Sequence, residues 1–263
     1  MHFFGTRIAT IEETLSLMSE PKRPICLEVK NLVKKYDDRQ VVNGLSIQVH
    51  AGEIVALLGP NGAGKTTAFY MTVGLIRPDK GEVIFKNIDV THLPMHKRAL
   101  MGMGYLAQEP SIFRNLSVEE NILCILESLP LSKKERIERL EELLAELHLT
   151  PLAKKKAVAL SGGERRRLEI TRALVTNPSL LMLDEPFANI DPLSIQDVKH
   201  LIRHLAKKQI SILITDHNAR EIFSIADKSY LVQDGKVTCE GTVQELINDE
   251  NVRYSYLGSD FRL

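Results

Sequence analysis

The octapeptide Gly59-Pro60-Asn61-Gly62-Ala63-Gly64-Lys65-Thr66 constrains this chain more than any other feature. It fits G-x-x-x-x-G-K-[ST], a loop whose backbone N–H groups curl around a phosphate. Its context matters as much as its letters. Ile54-Val55-Ala56-Leu57-Leu58 precedes it, apolar at every position, as in a strand buried on both faces of a parallel sheet. A helix-compatible stretch follows from Lys65 to Val73, so the loop opens onto a helix N-terminus and its partial positive charge. The bland alternative is a glycine-rich turn with a chance lysine, and the flanking strand and helix argue against it. Lys65 is placed to reach the β- and γ-phosphates, Thr66 to put a hydroxyl on Mg²⁺, and Thr67 to continue the loop into the helix.

Two further apolar runs end in polar residues. Leu180-Leu181-Met182-Leu183 runs into Asp184-Glu185, and Ile210-Ser211-Ile212-Leu213-Ile214 into Thr215-Asp216-His217. Ligands of open α/β sheets sit at the carboxyl ends of the strands, so all three runs deliver their chemistry to one edge. The expected fold is α/β, a phosphate-loop NTPase. Asp184 is expected to hold Mg²⁺ through water, Glu185 to polarise the attacking water, and His217 to contact the γ-phosphate. A strand-terminating turn would also explain Asp184-Glu185-Pro186, and a lone histidine is usually unremarkable. The shared edge favours the functional reading of both.

Leu160-Ser161-Gly162-Gly163-Glu164 is the second motif. Ser161 and Glu164 make a capping box, starting a helix expected from Glu164 to Thr176 and ended by Asn177-Pro178. Bare glycines before a capped helix also expose N–H groups to an anion. Facing its own phosphate loop, that helix would be redundant. The useful geometry is in trans, over the ATP of a second copy. The run Arg165-Arg166-Arg167 reads as a solvated helix face or a protein contact rather than a nucleic-acid patch.

Together these motifs resemble the nucleotide-binding subunits of ABC transporters, from roughly Leu27 to the end of the chain. The resemblance implies a mixed β core, an antiparallel β subdomain and a small α-helical subdomain. It places an adenine-stacking ring at Tyr36 and makes Gln108 a ligand that senses Mg²⁺ and the membrane partner. It assigns Ser161, Gly162 and Gly163 to the opposite γ-phosphate, and Asp191 to the loop crossing the dimer interface. Residues 93–98, 108–114, 160–167 and 214–218 are similar in particular to family members serving lipopolysaccharide export. The ending Tyr256-Leu257-Gly258-Ser259-Asp260-Phe261-Arg262-Leu263 carries that similarity most. Ala107 departs from the usual proline, and Asn189-Ile190 from a smaller pair before Asp191.

The expected organisation is an extension over residues 1–24, an ATP-binding core over 25–107 and 159–242, a helical subdomain over 108–158, and a C-terminal helix and tail over 243–263. In the extension, Ile8, Ile11, Leu15 and Met18 suit either a short amphipathic helix or disorder. Ser132 and Glu135 form a capping box, after which Ile137, Leu140, Leu144 and Leu147 are expected to line one buried face. Asp37-Asp38 and Asp234-Gly235 read as turns. By the resemblance, the helical subdomain receives the membrane subunit, and Phe113 and Arg114 are the candidate contacts. Simple packing of the insert is their alternative.

The chain has 263 residues, 34 basic and 34 acidic, so bulk attraction to nucleic acid is not supported. Cys26, Cys124 and Cys239 are odd in number and far apart, which fits reduced thiols. His92 and His96 flank Pro94 and are not read as a metal site. No apolar run nears the roughly 18 residues of a membrane span, and Glu12-Glu13 argue against a signal peptide. The expectation is a cytoplasmic ATPase, a homodimer around two ATP, held at the inner membrane by permease subunits. Rival expectations are a branched-chain amino-acid importer ATPase and a soluble ABC ATPase acting on DNA or ribosomes. The interval from Lys65 to Ser161 leaves no room for the long coiled coil that the last would carry.

Overall fold

The structure, a computed structural model, describes residues 23–109, 111–258 and 261. The expectation for the extension falls almost wholly on residues 1–22, outside the described residues.

Strands β1 (Ile25–Tyr36) and β2 (Arg39–His50) form a hairpin that turns at Asp37-Asp38. Asp37 takes φ 49°, a left-handed position that aspartate tolerates. The chain crosses to β3 (Ile54–Leu58) and enters α1 (Lys65–Val73) through the glycine loop. It returns as β4 (Lys80–Phe85) and β5 (Ile88–Asp89), giving a four-stranded antiparallel sheet in the order β2-β1-β4-β5. Then come α2 (Met95–Leu100), β6 (Met103–Leu106), and the helices α3 (Val118–Leu126) and α4 (Lys133–Glu146). The chain re-enters the core through α5 (Gly162–Leu174), β7 (Leu180–Asp184), α6 (Pro192–Lys207) and β8 (Ser211–Thr215). It closes with α7 (Ala219–Phe223), β9 (Lys228–Gln233), β10 (Lys236–Gly241) and the short helices α8 (Val243–Asn248) and α9 (Glu250–Val252), then a π turn over Arg253–Leu257.

The second sheet runs β10-β9-β3-β8-β7-β6, with parallel neighbours except for the β9–β10 edge hairpin. β3, β7 and β8 are buried at every residue, as their unbroken apolar runs require. Alternate residues feed two cores. Ile54, Ala56 and Leu58 join the helical side, while Val55 and Leu57 pack towards the antiparallel sheet with Phe69 and Phe85. Each fully buried Leu or Ile contributes about 1.5–3 kcal/mol.

Register fixes the functional edge. Thr215 pairs with Leu57 of β3 and with Asp184 of β7, so the three strand ends meet side by side. The Asp234-Gly235 turn has both residues left-handed (φ 47° and 75°), as a two-residue hairpin demands.

Two details differ from expectation. α5 spans Gly162–Leu174, starting and ending two residues early, because the Ser161–Glu164 capping box is fully formed and makes Gly162 the first helical residue. On α4, Leu143 is fully buried and Ile137 is 41% exposed. A period of 3.6 rotates Leu143 beside Leu140 and Leu144 and carries Ile137 to the margin.

Candidate active site

The glycine loop is shaped by contacts only glycine permits. A Cβ on Gly59 would lie 2.1 Å from the Val232 carbonyl oxygen, and one on Gly64 would lie 2.4 Å from that of Val41. Gly62, at φ 78°, has open space on its Cβ side. α1 begins at Gly64 with no side-chain cap and no acidic residue in its first turn, so its N–H groups and dipole are uncompensated. Lys65 Nζ donates to the carbonyls of Gly59 (2.7 Å) and Pro60 (2.9 Å), which holds it across the loop mouth. Burial lowers its pKa, opposed by the charges of Glu185 and Asp184. Pro60, Asn61 and Thr66 are exposed, Ala63 is buried, and Thr67 is half-buried.

Asp184 ends β7 and is 1% exposed. Its Oδ2 has no hydrogen-bond partner. Burial pushes its pKa up to about 6, reinforced by Glu185 and Asp216 and opposed by Arg166 and Lys65. Glu185 takes φ 47°, and its N–H donates to the Thr215 carbonyl at 2.7 Å. Its Oε2 accepts from Gln108 Nε2 at 2.7 Å and lies 3.6 Å from His217 Nδ1. Burial likewise raises the pKa of Asp216, which accepts from the N–H groups of Asn218 and Phe187. The expected residues Lys65, Gln108, Asp184, Glu185 and His217 are thus brought together. Between them they offer charge for a triphosphate, a carboxylate beside the place of a nucleophile, and a buried oxygen lacking a donor.

That oxygen tests the fit of a divalent cation. Mg²⁺ is usually held by one or two carboxylates plus substrate phosphates and water, not by an all-protein cage. The Asp184 and Thr66 donors fit that pattern. Among the described residues, no group of three or more His, Cys, Asp and Glu is arranged to hold a metal alone.

Ser161, Gly162 and Gly163 lie apart from this cluster, at the start of α5. Ser161 is exposed, and its hydroxyl accepts from Glu164 N–H at 3.2 Å. Gly163 is buried, and a Cβ there would meet Ser194 Oγ at 2.3 Å. Asp191 caps α6, accepting from Ser194 N–H (3.0 Å) and Oγ (2.6 Å), contacts that lower its pKa. These residues form a second face built from α5 and the loop before α6. Tyr36 is 44% exposed at the tip of the β1–β2 hairpin, with Lys34 Nζ 5.5 Å from its ring centre. Ala107 is half-buried, and its carbonyl accepts from Arg166; Asn189 takes φ 59°.

Phe113 is 51% exposed and lies beneath Arg172, whose guanidinium carbon is 4.9 Å from the ring centre. Its backbone is clamped by fully buried Asn121, which accepts from the Phe113 N–H and donates to its carbonyl. Arg114 is exposed.

The reading of the arginine run as a solvated face is wrong for Arg166. It is 6% exposed. It pairs with Glu169 at 2.8 Å and donates to the carbonyls of Pro186 (3.0 Å) and Glu185 (2.8 Å). It therefore clasps the turn that carries the two acids. The available signal was Glu169 at i+3, on the buried side of the helix.

A phosphate loop, a pair of acids after one buried strand and a histidine after the next, at the carboxyl edge of one parallel sheet, define a phosphate-loop nucleotide triphosphatase. The chain belongs to the ABC transporter family, whose model matches residues 42–188. It is 54% identical, over 90% of this chain and 98% of the relative, to the lipopolysaccharide export system ATP-binding protein LptB of Acidithiobacillus ferridurans. It is 49% identical to the protein of that name from Escherichia coli K12, over 90% of this chain and 99% of the relative. The fold is similar to a solved ATP-binding cassette of an ABC transporter in its ADP conformation, with TM-score 0.80, 30% identity, and 89% of this chain and 99% of that chain covered. No helix among the described residues is long and apolar enough to cross a membrane.

Proposed function

We propose that this chain is the ATP-hydrolysing subunit of a transporter that extracts lipopolysaccharide from the inner membrane for export. The observation that carries the site assignment is the convergence of Lys65, Asp184, Glu185, Gln108 and His217 on one sheet edge. The cargo is supported by the extent of identity to LptB chains, which spans nearly their whole length.

In this mechanism the loop from Gly59 to Thr67 cradles the phosphates, and Lys65 shifts from the loop carbonyls to the β- and γ-oxygens. Tyr36 stacks on adenine. Thr66, Gln108 and Asp184 would hold Mg²⁺, which when bound would supply positive charge against the phosphates. Glu185 polarises the attacking water, held in place by Gln108, and His217 contacts the γ-phosphate. Ser161, Gly162 and Gly163 complete the site of a second copy, with Asp191 at the crossing, so two ATP are shared by a head-to-tail dimer. Phe113 and Arg114 dock the permease, an exposed aromatic beside arginine being a common interface anchor. The protein then sits on the cytoplasmic face of the inner membrane through its partners.

Purifying the tagged protein from gently solubilised membranes tests this reading. Permease subunits whose loss blocks lipopolysaccharide delivery should accompany it. Co-purification of amino-acid permeases instead would overturn the cargo assignment.

A further inference from the structure

The three consecutive arginines of α5 have three fates. Arg166 clasps the acid-bearing turn, and Arg165 donates to the Leu160 carbonyl at 3.2 Å. Arg167 is half-buried, its Nε is sealed from solvent, and among the described residues no group hydrogen-bonds to its side chain or pairs with it. With its stem half-buried and its terminal nitrogens unpaired, the planar fork of Arg167 is free to take an anion from the cleft.

Arg167 lines a cleft of about 530 Å³ between the end of α4, α5 and α6. That volume lies in the range of small-molecule sites, and the cleft is separate from the nucleotide edge. Leu147 and Leu201 give it an apolar floor. The acid Glu146 at its rim is already engaged, 2.5 Å from Lys208 and 3.5 Å from His204. His148 and His200 also line the cleft and, like Arg167, make no side-chain hydrogen bond or ion pair among the described residues. His148 stands at φ 54°, the left-handed position after α4 where glycine would be unstrained. Asp197 is the one carboxylate lining the cleft that has no partner among the described residues.

We propose that this cleft is a binding site for a small anion, a molecule carrying a phosphate or a carboxylate. The Arg167 fork takes the anionic group in two parallel hydrogen bonds, and His148 and His200 donate from either side. The apolar floor receives the rest of the molecule. An occupant would tie α4 to α5 and α6, the two helices that begin at Ser161 and Asp191.

The test uses the full-length protein saturated with ADP, titrated separately with inorganic phosphate and with succinate. Histidine ring NMR signals are followed, with His148 and His200 assigned by His148→Gln and His200→Gln. His217 reports independently on the γ-phosphate position. The proposal expects saturable shifts of His148 and His200 with at least one probe, and the tighter probe identifies the anionic group. Arg167→Gln should weaken that binding at least tenfold. Arg167→Lys, which keeps the charge and stem but loses the fork, should weaken it too and guards against misfolding of the glutamine variant. No saturable shift with either probe, or unchanged affinity in both variants, would overturn the proposal.

Discussion

Gln108 Nε2 and Glu185 Oε2 are 2.7 Å apart, so the residue that opens the expected helical subdomain holds the acid that follows β7. The acid is held from behind as well, through the Arg166 contact to its carbonyl. Glu185→Gln keeps that shape and removes the water-polarising charge. We expect ATP binding to persist while kcat falls about 10²–10⁴-fold. Equilibrium nucleotide binding and single-turnover rates check this, and normal turnover would remove Glu185 from its role.

Asp184 gives a pH signature. Its ordinary pKa is 3.8 and burial raises it to about 6. The folded state therefore binds more protons than the unfolded state between those values, and stability from this group is lost as pH rises through about 6. Asp184→Asn should raise the melting temperature of the nucleotide-free protein at pH 8 and change it little at pH 4. Mg·ATP affinity should run the opposite way, weakening as pH falls through about 6, because the cation needs the carboxylate. Thermal scans and binding titrations across pH read both effects.

Arg166 is a buried ion that donates to Glu169 and to the carbonyls of Pro186, Ala107, Asp184 and Glu185, so removing it strands Glu169 and these carbonyls. Arg166→Met should destabilise the fold by about 3–5 kcal/mol. Arg166→Lys should rescue little of that, since an ammonium lacks the planar fork that reaches Glu169, Pro186 and Glu185 together. Denaturant midpoints measure the difference, and full rescue by lysine would show that charge alone matters there.

The adjacent glycines of α5 should behave differently. Gly163→Ala would drive a Cβ to 2.3 Å from Ser194 Oγ, lowering the melting temperature. Gly162→Ala meets Ile190 Cγ2 at an ordinary 3.4 Å, so the fold should survive. If α5 closes over the phosphate of a second copy as proposed, its turnover should still drop, because the added methyl would stand between backbone and phosphate. Melting temperature and ATPase rate measured on both variants separate packing from function, and normal turnover in Gly162→Ala would contradict the shared site.

The parts of the fold legible in the sequence were those with local causes. The apolar runs of β3, β7 and β8 announced buried parallel strands, and the glycine spacing announced the loop and α1. Ser161, Ser132 and Asp234-Gly235 marked helix starts and a turn through capping and left-handed geometry. Burial of Arg166 was signalled only by Glu169 at i+3, because a run of three like charges hides which residue faces inward. The clamp of Asn121 on Phe113 was not legible, because it depends on a tertiary approach. Nor was the edge-on packing of Phe261 against Phe223, 5.9 Å between ring centres, which brings an irregular tail back onto the body of the chain. Asp260, Arg262 and Leu263 lie outside the described residues.

If Glu185 is the acid of hydrolysis as proposed, lipopolysaccharide leaves the inner membrane only while that carboxylate is present. The most direct test replaces the native copy, in its own cell, with a depletable copy plus either wild-type protein or Glu185→Gln. After depletion, lipopolysaccharide at the cell surface is measured against that retained in the inner membrane. Delivery is expected with wild type, and accumulation at the inner membrane with Glu185→Gln. Undisturbed delivery with the variant, accompanied by lost uptake of an amino acid, would contradict that expectation.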